Sequence, residues 1–218
     1  MNKFWSPFWN IKSRYCFWAE TRFTKFSIII LSAGVFFFTS CENAPLVPKP
    51  RGYFRIDLPE RNYTKYDPSC PFSFEMSTSA AINSDQYTSA EPCWFNIEYP
   101  AYKAKIHFSY KELKSQALYN LTEDAHELVF KHAQKANGIK ESVIELPGQR
   151  VFGKAWTIEG RDVASPFQFY VTDSVNNYLR GALYFEVRPN NDSLKPVIDF
   201  IIDDIDHLIQ TLHWKQVL

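Results

Sequence analysis

The stretch CWFNIEYPAYKAKIHFSY, residues 93–110, has the clearest periodic pattern in the chain. Apolar side chains alternate with polar ones up to Tyr99, and the alternation resumes after Pro100 and Ala101 and continues to Tyr110. A period of two is typical of a β-strand with one buried face, and the proline marks the connection between two strands. The stretch therefore predicts a β-hairpin that packs one face against a hydrophobic core.

The flanking segments predict more strands and one loop. Upstream, residues 51–59 alternate next to prolines, which favours an edge strand, and residues 72–76 predict a second short strand. The polar residues 77–92 have no periodicity and predict a loop. Downstream, the strand candidates are residues 143–146, 151–158, 166–172 and 178–187. Their short connections favour antiparallel neighbours.

Two segments have a helical period instead. Residues 111–136 predict a helix with a new start at Thr122 and a stop at residues 137–138. Its apolar face consists of Ala125, Leu128, Val129, His132 and Ala136. The C-terminal segment predicts an amphipathic helix with one apolar and one polar face. The inward residues are Leu194, Ile198, Ile201, Ile205, Leu208 and Leu212, and the outward residues are Asp199, Asp203, Asp206 and Gln210.

Together these elements predict an α+β fold, in which a mainly antiparallel sheet of about six strands packs against two helices. The order of the elements, with one helix after an early hairpin and another at the C-terminus, is similar to that of the Mog1/PsbP-like sandwich. That likeness concerns the fold alone and implies no function.

The N-terminal region predicts export and a lipid anchor. Residues 1–40 contain five basic residues and one acidic residue, and residues 26–38 form an apolar run of 13 residues. A membrane-spanning helix needs about 20 apolar residues, so the run fits the core of a signal peptide. Thr39 and Ser40 then precede Cys41, as small residues do in the lipobox of bacterial lipoproteins. Cys41 is thus the predicted lipidation site, with palmitate among its lipids; the alternative is an uncleaved signal anchor.

The remaining chain divides into two predicted parts. Residues 41–50 are rich in proline and predict an extended tether, and residues 51–218 predict a single α+β domain in the periplasm. Residues 41–218 carry 19 basic and 23 acidic side chains, which is not the charge balance of a nucleic-acid-binding protein. Glu42 stands where an aspartate favours retention in the inner membrane, so the outer membrane is the expected anchor site.

The cysteines are consistent with export. If Cys16 leaves with the signal peptide and Cys41 carries lipid, only Cys70 and Cys93 remain. An oxidising periplasm would permit a disulfide between them, and the alternative is two buried free thiols. The sequence contains no Cys-x-x-Cys motif, so neither a redox site nor a zinc knuckle is supported.

Motifs of catalysis and of metal binding are missing from the sequence. It contains no phosphate-binding glycine loop, no Gly-x-Ser-x-Gly and no His-Glu-x-x-His, so we expect no enzyme and no cofactor, and a hydrolase would lack an identifiable nucleophile and base. Metal binding is not expected either. His126 and His132 project apart, His132 is interpreted as a packing residue, and the acidic residues of the last helix form a solvated face. The members of that face are Asp199, Asp203, Asp204 and Asp206.

Two surface features remain as candidates for binding. Lys103, Lys105 and His107 could hold an anion, but pairing with Glu98 on the wet side of the hairpin is the preferred interpretation. Aromatic residues could form a stacking platform or belong to the core: Tyr53, Phe54, Trp94, Trp156 and Tyr170.

Within that aromatic set, Trp94 is the most informative residue, because alternation places it on the polar face beside Asn96 and Glu98. The predicted partner-binding residues are Trp94 together with Arg51, Tyr53 and Arg55 near the tether.

Five sequence strings resemble one known family. They are PKPRGYFRIDLP at 48–59, CWFNIEYP at 93–100, AKIHFSY at 104–110, SPFQFYVTDS at 165–174 and LRGALYF at 179–185. They are similar to the gliding motility lipoprotein family GldD of the Bacteroidetes. The resemblance implies a lipid-anchored component that is required for gliding and linked to type IX secretion, with no enzymatic activity assigned.

Two functions from different classes are therefore compatible with the sequence. The first is a scaffold or assembly subunit of a cell-envelope machine, whose partners are other gliding and secretion proteins. The second is a periplasmic lipoprotein that binds a glycan or another small ligand. The first predicts protein partners, and the second predicts a closed pocket.

Overall fold

The structure is a computed structural model that describes residues 52, 55–84, 91–113 and 117–215. The described residues contain ten strands, two α-helices and three short 3₁₀ turns. The strands are β1 Tyr63–Tyr66, β2 Phe72–Ser77, β3 Ala81–Ser84, β4 Phe95–Tyr99, β5 Ala104–Glu112, β6 Gly138–Leu146, β7 Val151–Glu159, β8 Phe167–Thr172, β9 Asn177–Phe185 and β10 His213–Trp214. The helices are α1 Ala117–Phe130 and α2 Asn191–Gln210, and the 3₁₀ turns are Pro100–Tyr102, Ala133–Lys135 and Pro147–Gln149.

The strands form two sheets, and every strand pairing is antiparallel. A seven-stranded sheet has the order β3-β4-β5-β9-β8-β7-β6, and a three-stranded sheet has the order β1-β2-β10. The predicted α+β class with mainly antiparallel pairing and two helices is confirmed. The described residues contain ten strands rather than about six; three of the additional strands, β1, β3 and β10, are short segments of two to four residues.

The predicted hairpin is confirmed as β4 and β5. Phe95 lies opposite Phe108 and Tyr99 opposite Ala104, and the turn Pro100–Tyr102 connects the two strands. Phe95, Ile106 and Phe108 are each at most 4% exposed, so the face on which they lie is part of the core. The alternation of apolar and polar residues therefore identified both the strands and the buried face.

The seven-stranded sheet is covered on both faces at its centre. All six residues of β8 are buried, which requires packing on both sides of that strand. On one face, Phe169 and Leu183 belong to a core cluster with β2 and α2; on the other, Tyr170 belongs to a second cluster with α1 residues such as Val129. The ring of Phe169 lies opposite Gly181, where a Cβ atom would come within 2.4 Å of the ring, so glycine makes room for it.

Two predictions for the N-terminal part of the domain are wrong. Residues 55–62 contain no strand, although the edge strand was expected at 51–59; residues 51, 53 and 54 lie outside the described residues. Pro59 cannot donate to a ladder, and the first paired segment is β1, which lies against β2. The expected loop at 77–92 contains β3, a polar edge strand held to β4 by backbone pairing.

The first helix also differs from the prediction. β5 extends to Glu112, which pairs with Asn177 of β9, so strand pairing overrides the helical pattern at residues 111–112. Thr122 lies inside α1 rather than at its start, and its hydroxyl donates to the Tyr119 carbonyl at 2.8 Å. Of the predicted apolar face, Ala125 and Val129 are buried, whereas Leu128 is 38% exposed.

Helix α2 packs largely as expected. Ile198, Ile201, Ile205 and Leu208 are buried against the sheets, and Leu212 is buried just beyond the end of the helix. Leu194, in the first turn, is only partly buried.

Candidate functional site

Three of the residues predicted to act at the surface or the membrane lie outside the described residues: Cys41, Arg51 and Tyr53. Arg55 is described, and its side chain is 91% exposed and pairs with Asp57 at 3.1 Å. Trp94 lies in a different environment at the start of β4. No hydrogen bond or ring contact between described residues connects Arg55 with Trp94.

Cys70 and Cys93 are joined by a disulfide in the structure, with their Cα atoms 5.8 Å apart. Cys70 precedes β2 of the three-stranded sheet, and Cys93 precedes β4 of the seven-stranded sheet. The bond is therefore a covalent connection between the two sheets. Both cysteines pack against the main core cluster.

Trp94 follows Cys93 and is only partly exposed. Its indole Nε1 donates to the Tyr110 carbonyl at 3.0 Å, and the Lys111 ammonium lies 5.3 Å from the centre of its ring. Lys111 also forms an ion pair with Glu91. We call Trp94, Lys111 and Glu91 the Trp94 patch. The Trp94 ring is fixed by its hydrogen bond and by the Lys111 ammonium, and part of its surface remains accessible, as expected for a contact residue.

Lys105 of the hairpin pairs with Glu98, as the preferred interpretation predicted. Lys105 Nζ lies 2.9 Å from both Glu98 and Glu186, and these carboxylates raise its pKa. The hydrogen bond from Lys105 likewise lowers the pKa of Glu98. His107 interacts with the Asn96 side chain at 2.7 Å. The charge of Lys105 is thus balanced by these two carboxylates, whereas Lys103 is exposed and forms no ion pair with the described residues.

Two of the aromatic residues considered for a stacking platform, Trp156 and Tyr170, are buried and do not form a surface for stacking. Trp156 is 2% exposed and Tyr170 is 8% exposed, and their rings pack 5.8 Å apart beneath α1. They belong to the core, which was the alternative interpretation. His132 packs near Tyr184 as a partly buried residue, and burial, followed by the charges of Arg180 and Lys135, lowers its pKa.

The acidic face of α2 is not uniformly solvated, which corrects the prediction. Asp204 is 3% exposed, and its two carboxylate oxygens accept hydrogen bonds from Tyr63 at 3.0 Å and Tyr99 at 3.1 Å. Burial, reinforced by the nearby Asp204 charge, raises the pKa of both tyrosines, so their hydroxyls stay protonated as donors. The neighbouring Asp203 is exposed and pairs with Arg61.

The sequence analysis missed an open cleft of about 800 Å³ at one end of the two sheets. We call it the end cleft, and six of its lining residues are Tyr110, Glu112, Arg150, Asn176, Trp214 and Lys215. They come from β5, the turn before β7, the turn between β8 and β9, and the C-terminal segment. Because these positions are distant in sequence, no local motif identifies the cleft.

A hydrogen-bonded turn forms one wall of the end cleft. The Asp173 carboxylate accepts from the backbone N–H groups of residues 175, 176 and 177 and from the side-chain amide of Asn177, at 2.7–2.9 Å. Burial raises the pKa of Asp173, but these donors lower it by more, so the pKa lies below its ordinary value. The wall is therefore fixed before any ligand arrives.

Tyr110 lines the end cleft and connects this wall to the buried Phe72 of the core. Its hydroxyl donates to Asn177 Oδ1 at 2.8 Å. Burial, and then the charges of Glu112 and Asp173, raise the pKa of Tyr110 to about 12, so the hydroxyl remains protonated at neutral pH. The Tyr110 ring packs 5.7 Å from the buried Phe72, which fixes its orientation.

Neither a metal centre nor a membrane-spanning helix is found in the described part of the chain. No group of three or more histidine, cysteine, aspartate or glutamate side chains in these residues is arranged to hold a metal ion. None of the helices in these residues is long and apolar enough to cross a bilayer.

The solved structures that are similar to this chain include a cyanobacterial protein. The cyanobacterial PsbP protein (CyanoP) from Synechocystis shares 11% identity with this chain, with a TM-score of 0.45, over 74% of this chain and 97% of the CyanoP chain. Among curated protein sequences, none matches the chain significantly.

Comparison with protein families gives a match over most of the chain. The model of the family described as gliding motility lipoprotein GldD matches residues 43–214. The match includes both sheets, both helices, the disulfide and every lining residue of the end cleft except Lys215, and it agrees with the resemblance of the five sequence strings. The chain belongs to the gliding motility lipoprotein GldD family.

Proposed function

We propose that the protein is a lipid-anchored scaffold or assembly subunit of the gliding machinery, and that it works with type IX protein secretion. The observation that carries the proposal is the family match over residues 43–214. The proposed role is to bind other envelope proteins of the machine rather than to catalyse a reaction. The alternative of a glycan-binding lipoprotein is a different class of function, and the end cleft is the feature that bears on it.

The proposed anchor is lipid on Cys41. The family match begins at residue 43, two positions after Cys41, and therefore supports a mature chain that starts at this cysteine. We assign residues 1–40 to a lipoprotein signal peptide, 41–50 to a tether and 51–218 to one periplasmic domain. The outer membrane is the proposed location, because Glu42 replaces the aspartate that favours the inner membrane.

Replacing Cys41 with alanine is expected to remove the anchor and leave the domain folded. Cells that carry Cys41→Ala should lose most surface spreading and most secretion of type IX cargo together, because the scaffold is no longer held at the membrane. Spreading assays, cargo blots and membrane fractionation measure these effects, and mass spectrometry of the mature N-terminus tests lipidation directly. Normal gliding by an unlipidated, periplasmic form would contradict the anchored scaffold.

The proposed contact surfaces are the Trp94 patch and the segment around Arg55. Arg55 is almost fully exposed and its one ion pair, with Asp57, is also exposed, so it stabilises the fold little. The ring of Trp94, in contrast, is partly buried and hydrogen-bonded through its indole N–H. Substitution of Trp94 therefore changes stability as well as contact, and Arg55 gives the cleaner test.

Reversing the charge of Arg55 is expected to weaken contacts with partner proteins without unfolding the domain. Arg55→Glu should at least halve the crosslinks to other gliding or secretion proteins and change the free energy of unfolding by less than about 0.5 kcal/mol. A photoreactive residue in place of the exposed Leu58 provides the crosslinks, which mass spectrometry identifies. Lys65→Glu is the matched control, because Lys65 pairs with Asp67 at the same spacing and is also exposed. Equal crosslinking in both variants would reject this surface.

A further inference from the structure

The end cleft is as large as a typical ligand site, and one of its walls is rigid. Its volume of about 800 Å³ lies within the range of about 300–1,000 Å³ that is typical of small-molecule sites. The Asp173 turn and the disulfide fix its sides, since Pro71, the residue after Cys70, lies in the lining. The Lys215 backbone N–H also donates to the Pro71 carbonyl at 2.9 Å. A site held in this way binds without paying for the ordering of loops.

Two charged groups of the lining, the buried Asp173 and the partly buried Lys215, are already neutralised. Asp173 is occupied by backbone and amide donors. The Lys215 ammonium lies 2.5 Å from Asp67 and 2.5 Å from the Pro68 carbonyl. Neither group is available as a counter-ion for a charged ligand.

The lining side chains that remain available to a ligand include both hydrogen-bond donors and hydrogen-bond acceptors. Among the described residues, the side chains of Glu112, Arg150 and Asn176 have no hydrogen bond or ion pair, and all three are exposed. Gln149 Oε1 is buried and has no hydrogen-bond partner in this part of the chain. The lining thus offers donors and acceptors side by side, and its remaining formal charges cancel.

Two aromatic rings complete the lining. Trp214 donates its indole N–H to the Arg150 carbonyl at 3.1 Å, and Tyr110 is held through its hydroxyl. Both rings are partly buried, so their orientation is fixed while some of their surface remains accessible. Ring surfaces pack against apolar C–H faces, and the surrounding amide and carboxylate groups bind hydroxyls.

We infer that the end cleft binds an uncharged saccharide chain, with Asn176, Glu112 and Arg150 holding its hydroxyl or acetamido groups beside Trp214 and Tyr110. Sugar rings have apolar C–H faces and many hydroxyls that both donate and accept, which is the combination that this lining offers. A phosphate or sulfate would bind less well, because Arg150 is the one lining cation among the described residues without an ion pair and the carboxylate of Glu112 lines the same cleft. The inference goes beyond the scaffold function and does not depend on it.

The experiment uses the full-length lipidated protein in detergent and two soluble probes. The probes are two uncharged oligosaccharides, a tetramer of N-acetylglucosamine and a tetramer of β-1,4-linked glucose. Isothermal titration calorimetry should show saturable binding of at least one probe to the wild-type protein. Asn176→Ala should weaken this binding by about tenfold, because it removes the N–H donors and the carbonyl acceptor of the side-chain amide. Val175→Ala is the matched control: it lies in the same turn, is exposed, and is not part of the lining.

Three outcomes would overturn the inference. Absence of saturable binding by both probes removes the saccharide site, and equal affinity of Asn176→Ala and wild type places any binding elsewhere. Tighter binding of free peptidoglycan stem peptides than of either oligosaccharide would assign the cleft to a peptide. Circular dichroism of both variants establishes that the fold is retained. Loss of saccharide binding with normal gliding would leave the scaffold function intact, so the two proposals fail separately.

Discussion

Removing the disulfide by replacing both Cys70 and Cys93 with alanine is expected to lower the free energy of unfolding by about 3 kcal/mol. The two residues are 23 positions apart in sequence, so the bond closes a moderately long loop in the unfolded chain. Without the bond, the unfolded state gains conformational freedom. Urea denaturation of the wild-type protein and of the double variant, both without reductant, measures this difference in the free energy of unfolding.

The same substitution should also loosen one end of the domain. The bond connects the segment before β2 with the segment before β4, and these strands belong to different sheets. Pro71 and Trp94 follow the two cysteines directly, so the side of the end cleft and the Trp94 patch are both fixed by this bond. Proteolysis of the native protein at residues near 70 and 93 should therefore become faster in the variant.

A reductant provides the internal control for the disulfide prediction. Dithiothreitol should lower the stability of the wild-type protein to that of the double variant and should leave the variant unchanged. Alkylation without reductant should label neither cysteine in protein taken from the envelope. Labelling of both cysteines, or equal stability of both proteins without reductant, would show that the thiols are free in the cell.

The elements that the sequence predicted well are those with many apolar residues in a regular period. β4, β5 and α2 each bury a long apolar stripe, and that stripe determines both the element and its orientation. β1, β3 and β10 were missed for the opposite reason. β3, with the sequence AINS, has Ile82 as its one large apolar side chain and is held by backbone pairing with β4. Such pairing has no periodic signal in the sequence.

The sites depend still more on tertiary structure. Trp94 was identified as a contact candidate from alternation alone, but its indole bond to the Tyr110 carbonyl depends on how β4 and β5 pair. The end cleft combines residues near positions 71, 110, 150, 176 and 214, which only the folded chain brings together. The disulfide could be proposed in advance because the count of cysteines left one pairing.

Asp204 shows where a signal was present and was interpreted wrongly. It lies three residues after Ile201 and four before Leu208, which is the spacing of the buried face of α2. The neighbouring aspartates made the whole run resemble a solvated face. The partners of Asp204, Tyr63 and Tyr99, lie more than 100 positions away in sequence, so the hydrogen bonds that permit its burial had no local signature.

Replacing Asp204 with alanine is expected to lower the free energy of unfolding by about 3 kcal/mol, because each hydrogen bond to a charged group contributes about 1.5–3 kcal/mol and such terms are not fully additive. The change leaves the hydroxyl of Tyr99, a residue that is 3% exposed, without its acceptor. It also releases Tyr63, whose ring stacks on His207 at 3.6 Å between centroids, so the contact of β1 with α2 should weaken.

Asp203 is the matched control for this prediction, since it is the preceding residue of the same helix and its side chain is 53% exposed. Asp203→Ala removes the exposed pair with Arg61 and should change the free energy of unfolding by at most about 1 kcal/mol. A double-mutant cycle with Asp204→Ala and Tyr99→Phe measures the coupling between carboxylate and hydroxyl directly. If Asp204→Ala is no more destabilising than Asp203→Ala, or if the coupling is zero, the buried carboxylate does not hold β1 and β4 to the helix.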